Sequence, residues 1–175
     1  MWTFRKIELD DLKQIKLYRE AMLTTQSSMD GTNGLHIHQA TPRYIKLCHA
    51  NERGHQLPSH LVPSTQFVCV NENNEIVGMC NVRHELNDLL MNFFGHIGYS
   101  VHPYYRRKGI ATFMLKEALK YCREINIHNA LVTCLETNEA SRRTILKCGG
   151  NYEDTRLMDN DRVERYWFNV REILD

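Results

Sequence analysis

Residues 95–112 read GHIGYSVHPYYRRKGIAT. The first part, residues 95–101, favours a half-buried strand, and Pro103 has no N–H to donate to a neighbouring strand. We therefore predict a strand that ends before Pro103 and is followed by a basic turn. From residue 110 to residue 125 apolar side chains recur at spacings of three and four. This pattern predicts an amphipathic helix that ends near Asn126.

The turn before this helix has the composition of an anion-binding site. We place the first helical turn at residues 107–111, where N–H groups have no intrahelical acceptor and the helix dipole is positive. Gly109 lets the main chain approach a bulky anion. Arg106, Arg107 and Lys108 add positive charge. A phosphate or pyrophosphate is the expected ligand. The alternative is a helix that merely follows a basic turn with a glycine.

A second segment, ALVTCLETNEASRRTILKCGGNYE at residues 130–153, combines a buried-type strand with a helix closed by two glycines. Together the two segments resemble the GNAT superfamily of acetyl-CoA-dependent N-acetyltransferases, whose cofactor motif is Q/R-x-x-G-x-G/A between a strand and a helix. Arg106, Gly109 and Ala111 stand at its fixed positions. The resemblance covers roughly Phe67 to Val170. The runs GHIGYSV, RRKGIAT, TCLETNEAS and RYWFNV resemble a group of bacterial predicted acetyltransferases.

The resemblance implies an α+β fold with a mixed, mostly antiparallel sheet and helices on both faces. Its strands at residues 95–101 and 130–135 would be parallel neighbours that splay apart, with the pantetheine arm of acetyl-CoA between them. Asn138 would face the cofactor, cap its own helix, or do both. The implied acetyl-CoA contacts are Tyr99, Ser100, Val101, Arg106, Arg107, Lys108, Gly109, Ile110, Ala111, Thr112, Asn138 and Ser141.

The rest of the chain completes a single domain over residues 1–175, as the length prior also favours. Thr41 followed by Pro42 predicts a helix start, and Gly54 predicts its end. We expect a strand at 2–7, a helix at 11–22 capped by Asp10, a loop at 24–39, antiparallel strands at 65–70 and 76–82, a bend at 86–92, and a closing hairpin of 151–157 with 162–170.

The implied reaction is direct attack of a primary amine on the thioester. An alkyl amine has a pKa of about 10.4, so a proton must leave before or during attack. In many family members a tyrosine on the second helix protonates the leaving thiolate, but Ile145 stands at the aligned position. The candidate acids are then Tyr99, Tyr152, Tyr166, or no dedicated group. The candidate bases are His96, Glu85 and Glu136.

Composition excludes several other functions. The chain has 175 residues, a net charge of +1 and a pI of about 7.7, which gives little attraction for nucleic acid. No apolar stretch approaches a membrane span, and the start lacks the pattern of a signal peptide, so we expect a cytoplasmic protein. The six cysteines form no C-x-x-C pair and the nine histidines show no zinc spacing, so we predict no metal. RRKGIAT also lacks the glycines of a P-loop.

Three functions remain after these exclusions. The first is an N-acetyltransferase that acts on a small-molecule amine, and the second is one that acts on a protein lysine or N-terminus. The third is a non-catalytic acyl-CoA-binding or sensor module, which the missing tyrosine makes plausible. A homodimer is compatible with each of them.

Overall fold

The computed structural model describes residues 1–55 and 57–172, which form one seven-stranded mixed sheet. The strand order is β1-β2-β3-β4-β5-β7-β6, and every neighbouring pair is antiparallel except β4 with β5. The strands are β1 Thr3–Lys6, β2 Ser64–Val70, β3 Ile76–Arg83, β4 Ile97–Val101, β5 Asn129–Leu135, β6 Asn151–Met158 and β7 Asp161–Asn169. This arrangement confirms the α+β fold class and the predicted antiparallel hairpins.

Helices cover both faces of the sheet. They are α1 Leu12–Thr24, α2 Leu35–His38, α3 Pro42–Arg53, α4 Ile110–Glu124 and α5 Glu139–Lys147. The buried side chains of α1 and α3 pack against one face, and those of α4 and α5 against the other. The alternation of side chains along β2 and β3 explains this division, since Val68 and Met79 join the first core and Cys69 and Cys80 the second. The sheet therefore separates two apolar layers.

The α1 and α2 region differs in detail from the sequence prediction. Asp10 does not cap α1, because it lies within a single 3₁₀ turn, Leu9–Asp11, that precedes the helix. Asp11 ends this turn, and its side chain accepts a hydrogen bond from the Glu8 N–H at 2.8 Å. The predicted loop at residues 24–39 contains the short helix α2. By contrast, Thr41 caps α3 as predicted, because its side chain accepts from the Tyr44 N–H at 3.3 Å.

Helix α4 begins three residues later than predicted, at Ile110. Arg107 has a φ of +62° and Gly109 a φ of +88°, and neither value is compatible with a right-handed helix. Arg107 and Lys108 therefore belong to the preceding loop and not to the first helical turn. Gly109 occupies the N-cap position, where its left-handed backbone carries no Cβ strain.

All six cysteines are free, and five of them are buried. They pack as small apolar side chains within the two cores. None of the helices within residues 1–55 and 57–172 is both long and apolar enough to cross a bilayer.

Candidate functional site

A wedge opens between the parallel strands β4 and β5. The two strands are paired at a single position, Ile97 with Val132, and diverge toward the carboxyl end of β4. Residues 99–101 keep their antiparallel partners on β3, so only the edge of β4 that faces β5 is left open. Open main-chain groups at this edge can bind an extended ligand in the way that another strand would. The predicted splay is therefore present.

Helix α4 begins at the mouth of the wedge. Its first intrahelical bond runs from the Phe113 N–H to the Gly109 carbonyl at 3.0 Å, so the four N–H groups of residues 109–112 have no acceptor within the helix. A Cβ built on Gly109 would meet only the Trp2 ring, at 3.8 Å. Residues 106–109 are exposed. The geometry fits a phosphate or pyrophosphate held by main-chain N–H groups.

The basic side chains of this loop point in different directions. Arg106 donates to the Val101 carbonyl at 3.3 Å and to the Ser27 hydroxyl at 2.8 Å, which joins the loop to the segment after α1. Lys108 lies over the Tyr105 ring, with its Nζ 5.0 Å from the ring centroid. Arg107 is exposed beside them. The Arg106 side chain thus stabilises the loop through these two hydrogen bonds. Its charge still adds to the positive electrostatic potential at the start of α4.

Tyr99 and Ser141, two of the sequence-predicted residues, meet across the wedge. Their hydroxyl oxygens lie 2.9 Å apart and connect β4 to the first turn of α5. Burial raises the pKa of Tyr99, so its hydroxyl keeps its proton at neutral pH. Asn138 accepts from the Ser141 N–H at 3.1 Å and caps α5. The side chain of Ser100 points to the opposite face, where it lies 2.9 Å from the Tyr18 hydroxyl.

His96 holds β4 and β5 together at the narrow end of the wedge. Its backbone N–H donates to the Leu131 carbonyl at 2.7 Å, and its Nδ1 accepts from the Leu131 N–H at 2.9 Å. Burial, with a smaller contribution from the nearby charge of Arg83, lowers the pKa of His96 to about 4. The ring is therefore neutral at pH 7, and its Nδ1 is engaged with the main chain.

The other catalytic candidates lie away from the wedge or are already bonded. Glu136 follows β5 and accepts from Arg162 at 2.8 Å. Tyr166 donates to Glu164 at 2.7 Å within the α5 layer. Tyr152 is exposed and bonds to Thr155, and Glu85 is exposed.

Sequence reasoning missed two charged groups near the wedge. Glu164 receives a two-pronged contact from Arg142 at 2.8 and 2.9 Å, which holds the pKa of the carboxyl below its usual value. Arg83 ends β3 close to Gly98. Glu164 could have been identified from the sequence, because it is a charged residue within the apolar run VERYWF. Arg83 could not have been identified in this way, because strands often end in a charged residue.

The segment between α1 and α2 covers β4 on the face opposite α4. A Cβ built on Gly31 would lie 2.2 Å from the Gly98 carbonyl oxygen, so the two main chains are in contact. Gly31 also accepts from the Gln66 side chain at 2.8 Å. Within residues 1–55 and 57–172, no three His, Cys, Asp or Glu side chains come together as metal ligands.

Comparison with known proteins bears on this geometry. Residues 34–149 match the sequence model of the acetyltransferase (GNAT) family. No protein with a curated description matches the chain in sequence.

Several solved structures share the fold. The ribosomal-protein-S5-alanine acetyltransferase of Vibrio fischeri has a TM-score of 0.74 and 18% identity over 99% of this chain and 96% of its own. RimJ of Mycobacterium smegmatis, in complex with CoA-disulfide, has a TM-score of 0.74 and 19% identity over 99% of this chain and 84% of its own. Spermidine N-acetyltransferase of Vibrio cholerae, in complex with CoA and spermine, has a TM-score of 0.67 and 16% identity over 99% of this chain and 98% of its own. At these identities the likeness establishes the fold alone.

Proposed function

Because this chain belongs to the GNAT family of acetyltransferases, we propose that it transfers an acetyl group from acetyl-CoA to a primary amine. The observation that carries the proposal is the wedge between β4 and β5 with the start of α4 at its mouth. The N–H groups of residues 109–112 would hold the pyrophosphate, and the open edge of Tyr99, Ser100 and Val101 would bind the pantetheine arm. Asn138 and Ser141 would border the same arm from α5.

The co-substrate supplies an acetyl group already activated as a thioester. The protein then has to orient an amine, stabilise negative charge on the acetyl oxygen and provide a proton for the leaving sulfur. Main-chain N–H groups at the open edge of β4 would stabilise the oxyanion. The Tyr99 hydroxyl, which stays protonated and is oriented by Ser141, is the donor we propose for the sulfur.

His96 and Glu136 are weaker candidates for the catalytic base. Nδ1 of His96 is bonded to the main chain, and Glu136 is paired with Arg162. We propose instead that the amine loses its proton to solvent at the wedge mouth. We favour a small-molecule acceptor and a cytoplasmic location, and a homodimer is compatible with both.

A non-catalytic acyl-CoA-binding module is the second candidate. It is favoured by Ile145, which is completely buried in the apolar core and presents no hydroxyl where the family commonly has a tyrosine. A protein acetyltransferase would share the cofactor site and differ only in the acceptor.

Acetyl-CoA binding tests the site, by calorimetry and by thermal melts. At a ligand concentration 100 times the Kd we expect about 2.7 kcal/mol of stabilisation, or roughly 5 to 10 °C in Tm, and no shift with ATP. Gly109→Asp should abolish binding because it places a carboxylate where the pyrophosphate would lie.

Gly109→Asn is the matched control, since asparagine has the same shape and tolerates a positive φ but carries no charge. A folded Gly109→Asp protein with unchanged affinity would contradict the site. Release of CoA with an amine then separates the enzyme from the non-catalytic module.

A further inference from the structure

Arg83 lies at the end of β3, on the face of the sheet opposite α4. Its Nη1 donates to the Phe94 carbonyl at 3.2 Å and to the Gly95 carbonyl at 3.1 Å. These carbonyls end the single π-helical turn Leu90–Phe94 and fix the direction of the guanidinium. Within residues 1–55 and 57–172, its Nε and Nη2 make no hydrogen bond to protein. One edge of the planar fork is therefore available to a ligand.

The guanidinium lies against the strand that forms the wedge. Its Nη2 is 3.8 Å from the position that a Cβ on Gly98 would take, and Gly31 approaches the same point to 3.2 Å. Since both neighbours are glycines, no side chain separates Arg83 from the main chain of β4 there. Gly98 directly precedes Tyr99, whose main chain we assign to the cofactor. The cation thus lies beside the part of β4 that we assign to the pantetheine arm of the co-substrate.

Arg83 also has no counter-charge in contact. In the part of the chain that the structure describes, no carboxylate forms an ion pair with it. Asp30 acts on it only from a distance, and accepts from the Ser28 hydroxyl at 2.6 Å. Burial lowers the pKa of Arg83. The more deeply buried Arg165, by contrast, pairs with Glu153 and Asp154.

We propose that Arg83 binds a carboxylate of the acceptor, so that the preferred acceptor is an α-amino acid or a similarly short amino carboxylate. The inference rests on the proposed function and names its substrate class. A partly desolvated guanidinium with a free fork edge is stabilised by a carboxylate that bonds to both donors. The short distance to the wedge requires the amine and the carboxylate to be close together in the acceptor.

This position disfavours the acceptors named for the solved structures. Spermidine has no carboxylate, and any second ammonium group near Arg83 would be repelled. A lysine side chain or a protein N-terminus likewise carries no free carboxylate beside its amine.

The test compares kcat/KM for glycine and the L-amino acids that have a primary α-amine, for their carboxamides and for spermidine, measured as CoA release. We expect the kcat/KM of at least one amino acid to exceed that of its carboxamide by about tenfold or more, which is the effect of a charge-assisted hydrogen-bonded pair. Arg83→Met should bring this ratio close to one while the KM for acetyl-CoA is unchanged. Arg83→Lys, which keeps the charge but not the fork, should give an intermediate ratio and controls for folding.

Two results would overturn the inference. The first is an equal loss of turnover on acid and amide in Arg83→Met, which would make Arg83 a structural support for the π-helical turn. The second is a wild-type protein that binds acetyl-CoA but turns over spermidine or no amino acid at all. In that second case the cofactor site stands, whereas absence of acetyl-CoA binding would remove the proposed function and this inference with it.

Discussion

Tyr99 is the side chain on which the proposed chemistry depends most directly. It is bonded to Ser141 across the wedge, and burial keeps its hydroxyl protonated. Ile145 packs with Phe168 and against Gly150, so the family's usual tyrosine position is filled by a core side chain. We therefore propose that a hydroxyl from β4 takes the role that a hydroxyl from α5 has in many family members.

Removing this hydroxyl should slow the chemical step. For Tyr99→Phe we expect kcat to fall about 100-fold, the low end for general acid catalysis, with the affinity for acetyl-CoA nearly unchanged. Tyr166→Phe is the control, because it removes another buried hydroxyl that is bonded to Glu164 and not to Ser141. Equal losses in the two variants would show that the effect is structural. Steady-state kinetics and calorimetry provide both measurements.

At the scale of elements, the segment between α1 and α2 acts as a cover on β4. Gly31 contacts Gly98 through main-chain atoms, and Arg106 bonds to Ser27 at the start of the same segment. The cover thus contacts both β4 and the loop at residues 106–109, which we propose to bind the cofactor. In the proposed complex the cover would therefore link the strand beside the acceptor to the loop that binds the cofactor, through one main-chain contact and one side-chain hydrogen bond.

Disturbing the cover should displace the main chain of β4 at Gly98 and Tyr99, and so reduce both turnover and the affinity for acetyl-CoA. In Gly31→Ala the new Cβ would lie 2.2 Å from the Gly98 carbonyl oxygen, so the main chain must move, and we expect a loss of about 1–3 kcal/mol of stability with reduced turnover.

Gly34→Ala is the matched control for this change. Gly34 has a similarly positive φ of +81°, but its nearest neighbour is the His38 side chain at 3.0 Å, which can rotate away. Acetyl-CoA affinity should stay within about twofold in Gly34→Ala, a difference of no more than ~0.5 kcal/mol, and should fall further in Gly31→Ala. The idea fails if the two alanines give the same stability and turnover.

At the scale of the whole molecule, one sheet connects two apolar layers, and β4 with β5 is its weakest junction. These strands share one paired position, supplemented by the bonds between His96 and Leu131. All other junctions are antiparallel ladders with several paired positions, although those of β2 with β3 and of β6 with β7 each contain a register shift. His96 therefore helps to hold the two halves of the sheet together while the wedge stays open.

The stability of the molecule should depend on pH through His96. Its folded pKa of about 4 lies below the ordinary value of 6.5, so the unfolded chain takes up the proton first as the pH falls. This contribution is fully present above pH 6.5 and is lost between pH 6.5 and pH 4, with a total of about 3 kcal/mol.

His96→Asn tests this dependence. Its side-chain oxygen can take the place of Nδ1 as an acceptor but does not titrate, so its stability should fall less than that of the wild type on acidification. Urea unfolding at pH 7, 5.5 and 4.5 measures both proteins. If the two proteins lost equal amounts of stability on acidification, the pH dependence could not be assigned to His96.

Local chemistry determined much of this protein from sequence alone. Alternating and three-to-four spacings placed the strands and α4, and Thr41 with Pro42 and Gly54 placed the ends of α3, because these signals act between near neighbours. The R-x-x-G-x-A turn likewise predicted where α4 follows a glycine, and its role in binding the cofactor stays a prediction. Only the tertiary structure decided the directions of Arg106 and Lys108, the bond between Tyr99 and Ser141, the neutral His96 and, among the described residues, the lack of an ion pair at Arg83. Those properties arise from burial and from contacts between residues far apart in the chain, which no local pattern encodes.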